Sequence, residues 1–98
     1  MDTYSQVDTI ALYYTRMRNG APVTGLTVTA KVNDVNTGAQ LLASTACSEA
    51  ASPIGVYSYD WNHGIKVDTE AVVTYTVGSY QYREFIFITN DATGGRAD

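Results

Sequence analysis

The run Leu26-Thr-Val28-Thr-Ala30-Lys-Val32 alternates strictly between apolar and polar side chains. A period of two places Leu26, Val28, Ala30 and Val32 on one face of an extended strand and Thr27, Thr29 and Lys31 on the other. Turn residues bracket it: Asn19-Gly-Ala-Pro-Val-Thr-Gly25 before, Asn36-Thr-Gly38 after. A strand that is buried on one face, wet on the other and bounded in this way belongs to an antiparallel sheet. The chain therefore reads as a small all-β domain.

The rest of the sequence repeats that grammar. Residues 7 to 18 fit a first strand, with Ile10, Leu12 and Tyr14 facing one way and Thr9, Ala11, Tyr13 and Thr15 the other. Its second half is apolar or aromatic on both faces, which means burial on both sides or an edge used by a partner. Asn19-Gly20 is a turn dipeptide that tolerates positive φ, and Pro22, lacking an N–H, belongs at an edge or a strand start. A strand at 26–33 leads into a hairpin loop at Asp34–Gly38 and a short strand at Gln40–Ala46. Ser48 to Ser52 is a loop of small residues with at most a helical turn near Glu49, and Ser52-Pro53-Ile54-Gly55 fits a turn with proline second. Gly55–Trp61 sets Val56, Ser58 and Asp60 against an aromatic row of Tyr57, Tyr59 and Trp61, and Asn62-His63-Gly64 turns the chain.

A strand over Glu70–Gly78 carries Ala71, Val73, Tyr75 and Val77 on one face. Gly78-Ser79 joins it tightly to a last strand, Tyr80–Thr89. In Phe85-Ile-Phe-Ile88 both faces are apolar, so this strand lies centrally or is covered by another subunit. Residues 90–98 are polar and Gly-rich and read as a flexible tail to a domain spanning 1–89. About seven short antiparallel strands separated by turns predict a two-layer β-sandwich, with a small barrel as the alternative.

Composition narrows the function. Only 16% of the 98 residues are charged, against about a quarter in an average domain; threonine, alanine and tyrosine take their place. Such a surface is covered by neighbours without desolvating many ions, which suits an assembly, although strands favour Thr and Tyr in any case. The net charge is −4 and the six basic residues are scattered. Neither the basic patch that nucleic acid requires nor a polybasic membrane anchor is present. Cys47 is the sole cysteine, so no intrachain disulfide forms, and the first twenty residues hold no uninterrupted apolar stretch of the secretory kind. Folding in a cytoplasm is the expectation.

No catalytic constellation emerges. His63 sits in a turn, Cys47 lies among small residues, and no Gly-x-Ser-x-Gly elbow exists. One Cys and one His do not make a transition-metal site. Asp34-Val-Asn36-Thr-Gly38 echoes the start of a calcium loop, but its glycine comes one position early and the distal Glu is missing, so hairpin-loop chemistry explains it better. Asp60, Asp68 and Glu70 are the carboxylates available for acid–base work, and start-of-strand carboxylates are commonly solvated gatekeepers. For a Lys–Asn crosslink, Lys31 points away from the core face and Lys66 lies in a loop. No cofactor, metal or catalytic residue is assigned.

The aromatic set remains: eight tyrosines, two phenylalanines and Trp61. Tyrosine and tryptophan offer amphipathic surface with few rotors to freeze, which favours interfaces and sugar stacking. Trp61 is read as core, and Tyr13, Tyr80 and Tyr82 as exposed. The interface candidates are Tyr13, Tyr14, Tyr80, Tyr82, Phe85, Phe87 and Ile88.

Together, Asn19-Gly-Ala-Pro-Val-Thr-Gly-Leu-Thr-Val28, Asn36-Thr-Gly38 and Gly55-Val-Tyr-Ser-Tyr-Asp-Trp61 resemble the small immunoglobulin-like or transthyretin-like sandwiches found among tailed-phage structural proteins. The resemblance covers about half the chain and consists of turn-and-strand grammar. It implies a non-enzymatic virion component: a capsid decoration (cement) protein made in the host cytoplasm. Its partners would be the major capsid protein, other virion proteins or its own copies. The alternative is a carbohydrate- or host-surface-binding module of a tail or fibre.

Overall fold

The computed structural model describes the backbone of residues 2–5 and residues 9–51, 54–65 and 67–89 in full. Ten strands follow one another among the described residues: β1 (Asp2–Ser5), β2 (Ile10–Thr15), β3 (Met17–Arg18), β4 (Ala21–Pro22), β5 (Val28–Asp34), β6 (Gln40–Ala46), β7 (Ser48–Glu49), β8 (Val56–Trp61), β9 (Thr69–Val77) and β10 (Tyr80–Thr89). Seven of them span four residues or more. Five form a wide sheet in the order β1-β10-β9-β5-β6, three form a narrow sheet β2-β8-β7, and β3 and β4 make a two-residue ribbon. The protein is an all-β sandwich of two layers, and among the described residues no barrel closes.

Turn chemistry sets the hairpins. Asn19 and Gly20 both have positive φ, 53° and 77°, as a type I′ turn requires, and they close the Arg18–Ala21 pair. Gly78 (φ 61°) followed by Ser79 at negative φ is the type II′ pattern, and it closes Val77 against Tyr80. The Asp34–Gly38 loop is held by its own side chains: Asp34 Oδ1 accepts the N–H groups of Asn36 (2.8 Å) and Thr37 (3.1 Å). That is the local hydrogen bonding expected of an Asp-initiated turn.

The core lies between the two layers. Ile10, Leu12 and Tyr14 of β2 and Tyr57 and Trp61 of β8 face Val28, Ala30 and Val32 of β5, Ala71, Val73, Tyr75 and Val77 of β9, and Ile86 and Ile88 of β10. Each set follows the two-residue period of its strand. Burying these side chains stabilises the fold by about 1.5–3 kcal/mol for each large one, which conformational entropy largely offsets.

Two tethers bind the narrow sheet to the connection that enters the wide one. The buried Tyr57 hydroxyl donates to the Val23 carbonyl (2.8 Å) and accepts the Leu26 N–H (3.1 Å). The Glu49 carboxylate accepts the amides of Gly25 (3.0 Å) and Gly55 (3.2 Å). Gly55 is buried with φ 79°, and a Cβ there would sit 2.5 Å from Pro22 Cβ; only glycine fits.

The structure departs from the sequence reading in four places. β1 was not anticipated, and it pairs with β10 in parallel, so the sandwich is not wholly antiparallel. The first strand does not run to residue 18: it breaks at Arg16 between β2 and the β3 ribbon. Glu49 belongs to a strand rather than a helical turn, because Ser48 and Glu49 pair with Ser58 and Tyr57. The barrel alternative fails because, among the described residues, the β2-β8-β7 sheet shares no strand pairing with the wide sheet. Lys66, Ser52, Pro53 and the 90–98 tail lie outside the described residues.

Candidate functional site: a tyrosine cleft between the sheets

The parity of β10 organises the site. Counting back from the buried Ile88 and Ile86, the residues on the core side of this strand are Glu84, Tyr82 and Tyr80. Here the narrow sheet covers β10 incompletely, so Tyr80 and Tyr82 stay 48% and 46% exposed. Across from them, β2 and the residues after it contribute Tyr13, Tyr14, Thr15, Arg16 and Met17. Together these eight residues line an open cleft of about 460 Å³.

Two of its lining rings, Tyr14 and Tyr82, pack on the buried Tyr75 behind them. Tyr14, only 7% exposed, lies 5.8 Å from Tyr75 and 6.3 Å from Tyr82, centroid to centroid, and Tyr75 stacks on Tyr82 at 6.3 Å. These separations fall within the range in which aromatic pairs attract. At the rim, the Arg16 guanidinium lies 4.8 Å from the Tyr80 ring centroid, a cation–π contact. Tyr13 is 61% exposed and Met17 is equally open. The cleft thus combines aromatic area already packed in place with one cation, Arg16, and one carboxylate, Glu84.

The sequence-derived candidates divide three ways. Tyr13, Tyr80 and Tyr82 all border the cleft and are exposed, Tyr80 and Tyr82 from the core side of β10 and Tyr13, of opposite parity to Tyr14, from the outer side of β2. Tyr14 lines its floor but is a core residue, since β2 turns it inward with Ile10 and Leu12; it supports the cleft rather than offering free surface. Ile88 is fully buried between the layers and offers no surface to a partner. Phe85 and Phe87 have the opposite parity and lie on the outer face of the wide sheet, Phe85 half-exposed and Phe87 partly covered. The two-sided apolar character of Phe85–Ile88 therefore resolves into a core face (Ile86, Ile88) and an outer face (Phe85, Phe87). Thr15, Arg16, Met17 and Glu84 were not picked from sequence; the parity of Glu84 with Tyr80 and Tyr82 was the available signal.

The outer face of the wide sheet has its own character. In register across β5, β9 and β10 lie Lys31, Thr74 and Arg83, and beside them Asn33, Val72 and Phe85. These six, with Asp34, Val35 and Gly38 of the adjoining loop, border a shallow depression of about 450 Å³. Arg83 donates to Gln81 Oε1 on its own strand (3.2 Å). Lys31 is exposed on this face, away from the core, as the alternation requires.

The remaining reactive groups are occupied separately. Cys47 packs against the core and its N–H donates to the Val28 carbonyl (2.9 Å); burial pushes its thiol pKa up, away from the reactive thiolate. His63 Nδ1 accepts the Ile65 N–H (2.8 Å), and its ring meets Trp61 edge-on at 5.4 Å. Asp60 projects from the outer face of the narrow sheet and Glu70 from the outer face of the wide one, so the sandwich stands between them. Among the described residues, no three His, Cys, Asp or Glu side chains gather as a metal-binding group. No family model matches the chain, and no curated protein or solved structure is significantly similar to it.

Proposed function

We propose that this chain is a non-enzymatic virion structural protein, a capsid decoration protein that attaches through the tyrosine cleft between β2 and β10. The observation that carries the reading is that Tyr13, Met17, Tyr80 and Tyr82, all exposed, line one cleft backed by the packed rings of Tyr14 and Tyr75. Rings fixed in place lose little entropy when a partner covers them, and they bring both apolar area and hydroxyls to an interface. The low charge content supports the same reading, because little must be desolvated. The virion assignment itself comes from the resemblance carried by residues 19–28, 36–38 and 55–61. A decoration protein stabilises a capsid by binding the assembled form in preference to free subunits.

The test is co-sedimentation with capsids of the virus that encodes the chain, alongside light scattering of the free protein. Binding at fixed stoichiometry that Tyr13→Ala and Tyr80→Ala each weaken at least tenfold supports the reading. Indifference to capsids overturns it. The cleft volume lies in the range of small-ligand sites, which favours a carbohydrate-binding module as the second reading. Glycan binding lost in Tyr82→Ala, without capsid binding, would establish that instead.

A further inference from the structure

Only part of the edge of β10 is paired by β1. The four residues of β1 stand beside Ile86, Phe87, Ile88 and Thr89, whereas β10 begins at Tyr80. Along Tyr80–Phe85, no strand among the described residues lies on that side. The hairpin fixes which backbone groups face the gap. Because Gly78-Ser79 is a two-residue loop, the flanking Val77 and Tyr80 form a hydrogen-bonded pair. Hydrogen-bonded and non-hydrogen-bonded pairs then alternate along the ladder. Tyr80, Tyr82 and Glu84 therefore direct their N–H and C=O groups at β9, and Gln81, Arg83 and Phe85 direct theirs at the open edge. The same parity points Phe87 and Thr89 at β1.

The two sides of this half-edge differ in chemistry. On the core side stand Tyr80, Tyr82 and the tyrosine cleft. On the outer side stands the Lys31–Thr74–Arg83 row; no carboxylate is in register with either cation, and Asp34, which borders the same depression, accepts the Asn36 and Thr37 amides of its own loop. An added strand places alternate side chains into the cleft and the others beside Arg83 and Phe85.

We propose that the half-edge Tyr80–Phe85 is a strand-addition site for an extended, acidic segment of a partner protein. Backbone hydrogen bonds to Gln81, Arg83 and Phe85 supply the affinity, and the alternating pockets supply the selectivity, as in other sheet-edge recognition. The favoured segment carries a carboxylate opposite Arg83 and apolar side chains entering the cleft beside Tyr80 and Tyr82. A second copy is the poorer occupant. Two copies of this edge, aligned antiparallel so that all three outward residues engage, set Arg83 against Arg83 of the other copy, and like charges directly opposite are destabilising. The inference rests on reading the cleft as a protein-binding surface and specifies how the partner docks.

Amide hydrogen exchange read by NMR on the isotopically labelled full chain tests it. The probe is a short blocked peptide alternating valine with glutamate and threonine, titrated to about 1 mM, where even weak association registers. The expected result is tenfold or greater protection of the Gln81, Arg83 and Phe85 amides. A peptide with lysine for glutamate should bind at least tenfold more weakly. Gln81→Pro deletes an outward N–H and spares the β9 ladder, so it should keep the thermal transition and lose the protection. Should that variant fail to fold, Arg83→Glu replaces it, and its expected result is preference for the lysine peptide. Protection by neither peptide, or equal binding of both, overturns the proposal. Protection of the same three amides that grows with protein concentration alone also overturns it, assigning the edge to a second copy. No capsid enters this experiment, so its failure is separable from failure of the decoration reading.

Discussion

The hydroxyl of Tyr57 donates to the carbonyl oxygen of Val23 at 2.8 Å. A buried residue of the narrow sheet thereby holds the connection that leads into the wide sheet, and it also accepts the Leu26 N–H. Tyr57→Phe keeps the ring and removes both bonds. The expected cost is about 1–3 kcal/mol, because a partly buried donor and acceptor lose their partner. Urea unfolding with an unchanged slope measures it; a cost below about 0.5 kcal/mol would show that water replaces the hydroxyl.

Gly55 and Gly64 separate crowding from backbone strain. Both have positive φ, 79° and 66°, but only at Gly55 does a Cβ meet an obstacle, Pro22 Cβ at 2.5 Å. Gly64→Ala is expected to cost about 1–2 kcal/mol, the price of a left-handed L-residue. Gly55→Ala adds the overpacking term and should reach about 2–5 kcal/mol. Equal midpoints for the two variants in denaturant would refute the crowding at Pro22.

Cys47 predicts an alkaline limit to stability. Burial raises its thiol pKa above the ordinary value of 9.0 in the folded state. The neutral thiol is favoured by folding, so this contribution is fully present below the unfolded pKa. It is lost as pH rises through the folded pKa. Thermal midpoints of the native chain should therefore fall more steeply above pH 9.0 than those of Cys47→Ala. Parallel pH profiles of the two proteins would contradict this.

Phe85→Asp and Ile88→Asp test the division of β10 into two faces. Ile88 is buried between the layers and Phe85 is half-exposed on the outer face. An unpaired carboxylate at position 88 should abolish cooperative folding, since an isolated buried charge costs several kcal/mol or more. At position 85 the change should cost under about 1 kcal/mol. Circular dichroism and thermal melts distinguish the outcomes, and a folded Ile88→Asp would require a different register for the hairpin.

Most of the strands were legible because their signals are local. The alternation of Leu26–Val32, the type I′ dipeptide Asn19-Gly20 and the Gly78-Ser79 connection are each written within a few residues, and β6 and β10 have the bounds their turn residues imply. What escaped depends on distant partners. β1 has no alternation of its own, and its strand state comes from parallel pairing with Ile86–Thr89 at the other end of the chain. β7 is two residues long and exists through its register with β8. The cleft was half visible: Tyr13, Tyr80 and Tyr82 stood out as aromatics on strands. Their meeting with Arg16 and Glu84 follows from β2 lying across β10, which no local pattern encodes. Ile88, named with Phe85 and Phe87 among the interface candidates, is buried because a two-residue period sends it to the core face and them to the outer one.

The single tryptophan gives the molecule an optical report of folding that lies outside the cleft. Trp61 is buried in the core, edge-on to His63 at 5.4 Å, so its emission wavelength reports whether the two layers are packed. The rings of Tyr13, Tyr80 and Tyr82 stand at the cleft, where an occupant alters their absorbance and quenching. Excitation selective for indole follows folding, and a tyrosine difference spectrum that changes while Trp61 emission stays fixed follows occupancy, so the unmodified chain distinguishes a variant that has lost its fold from one that has lost its partner.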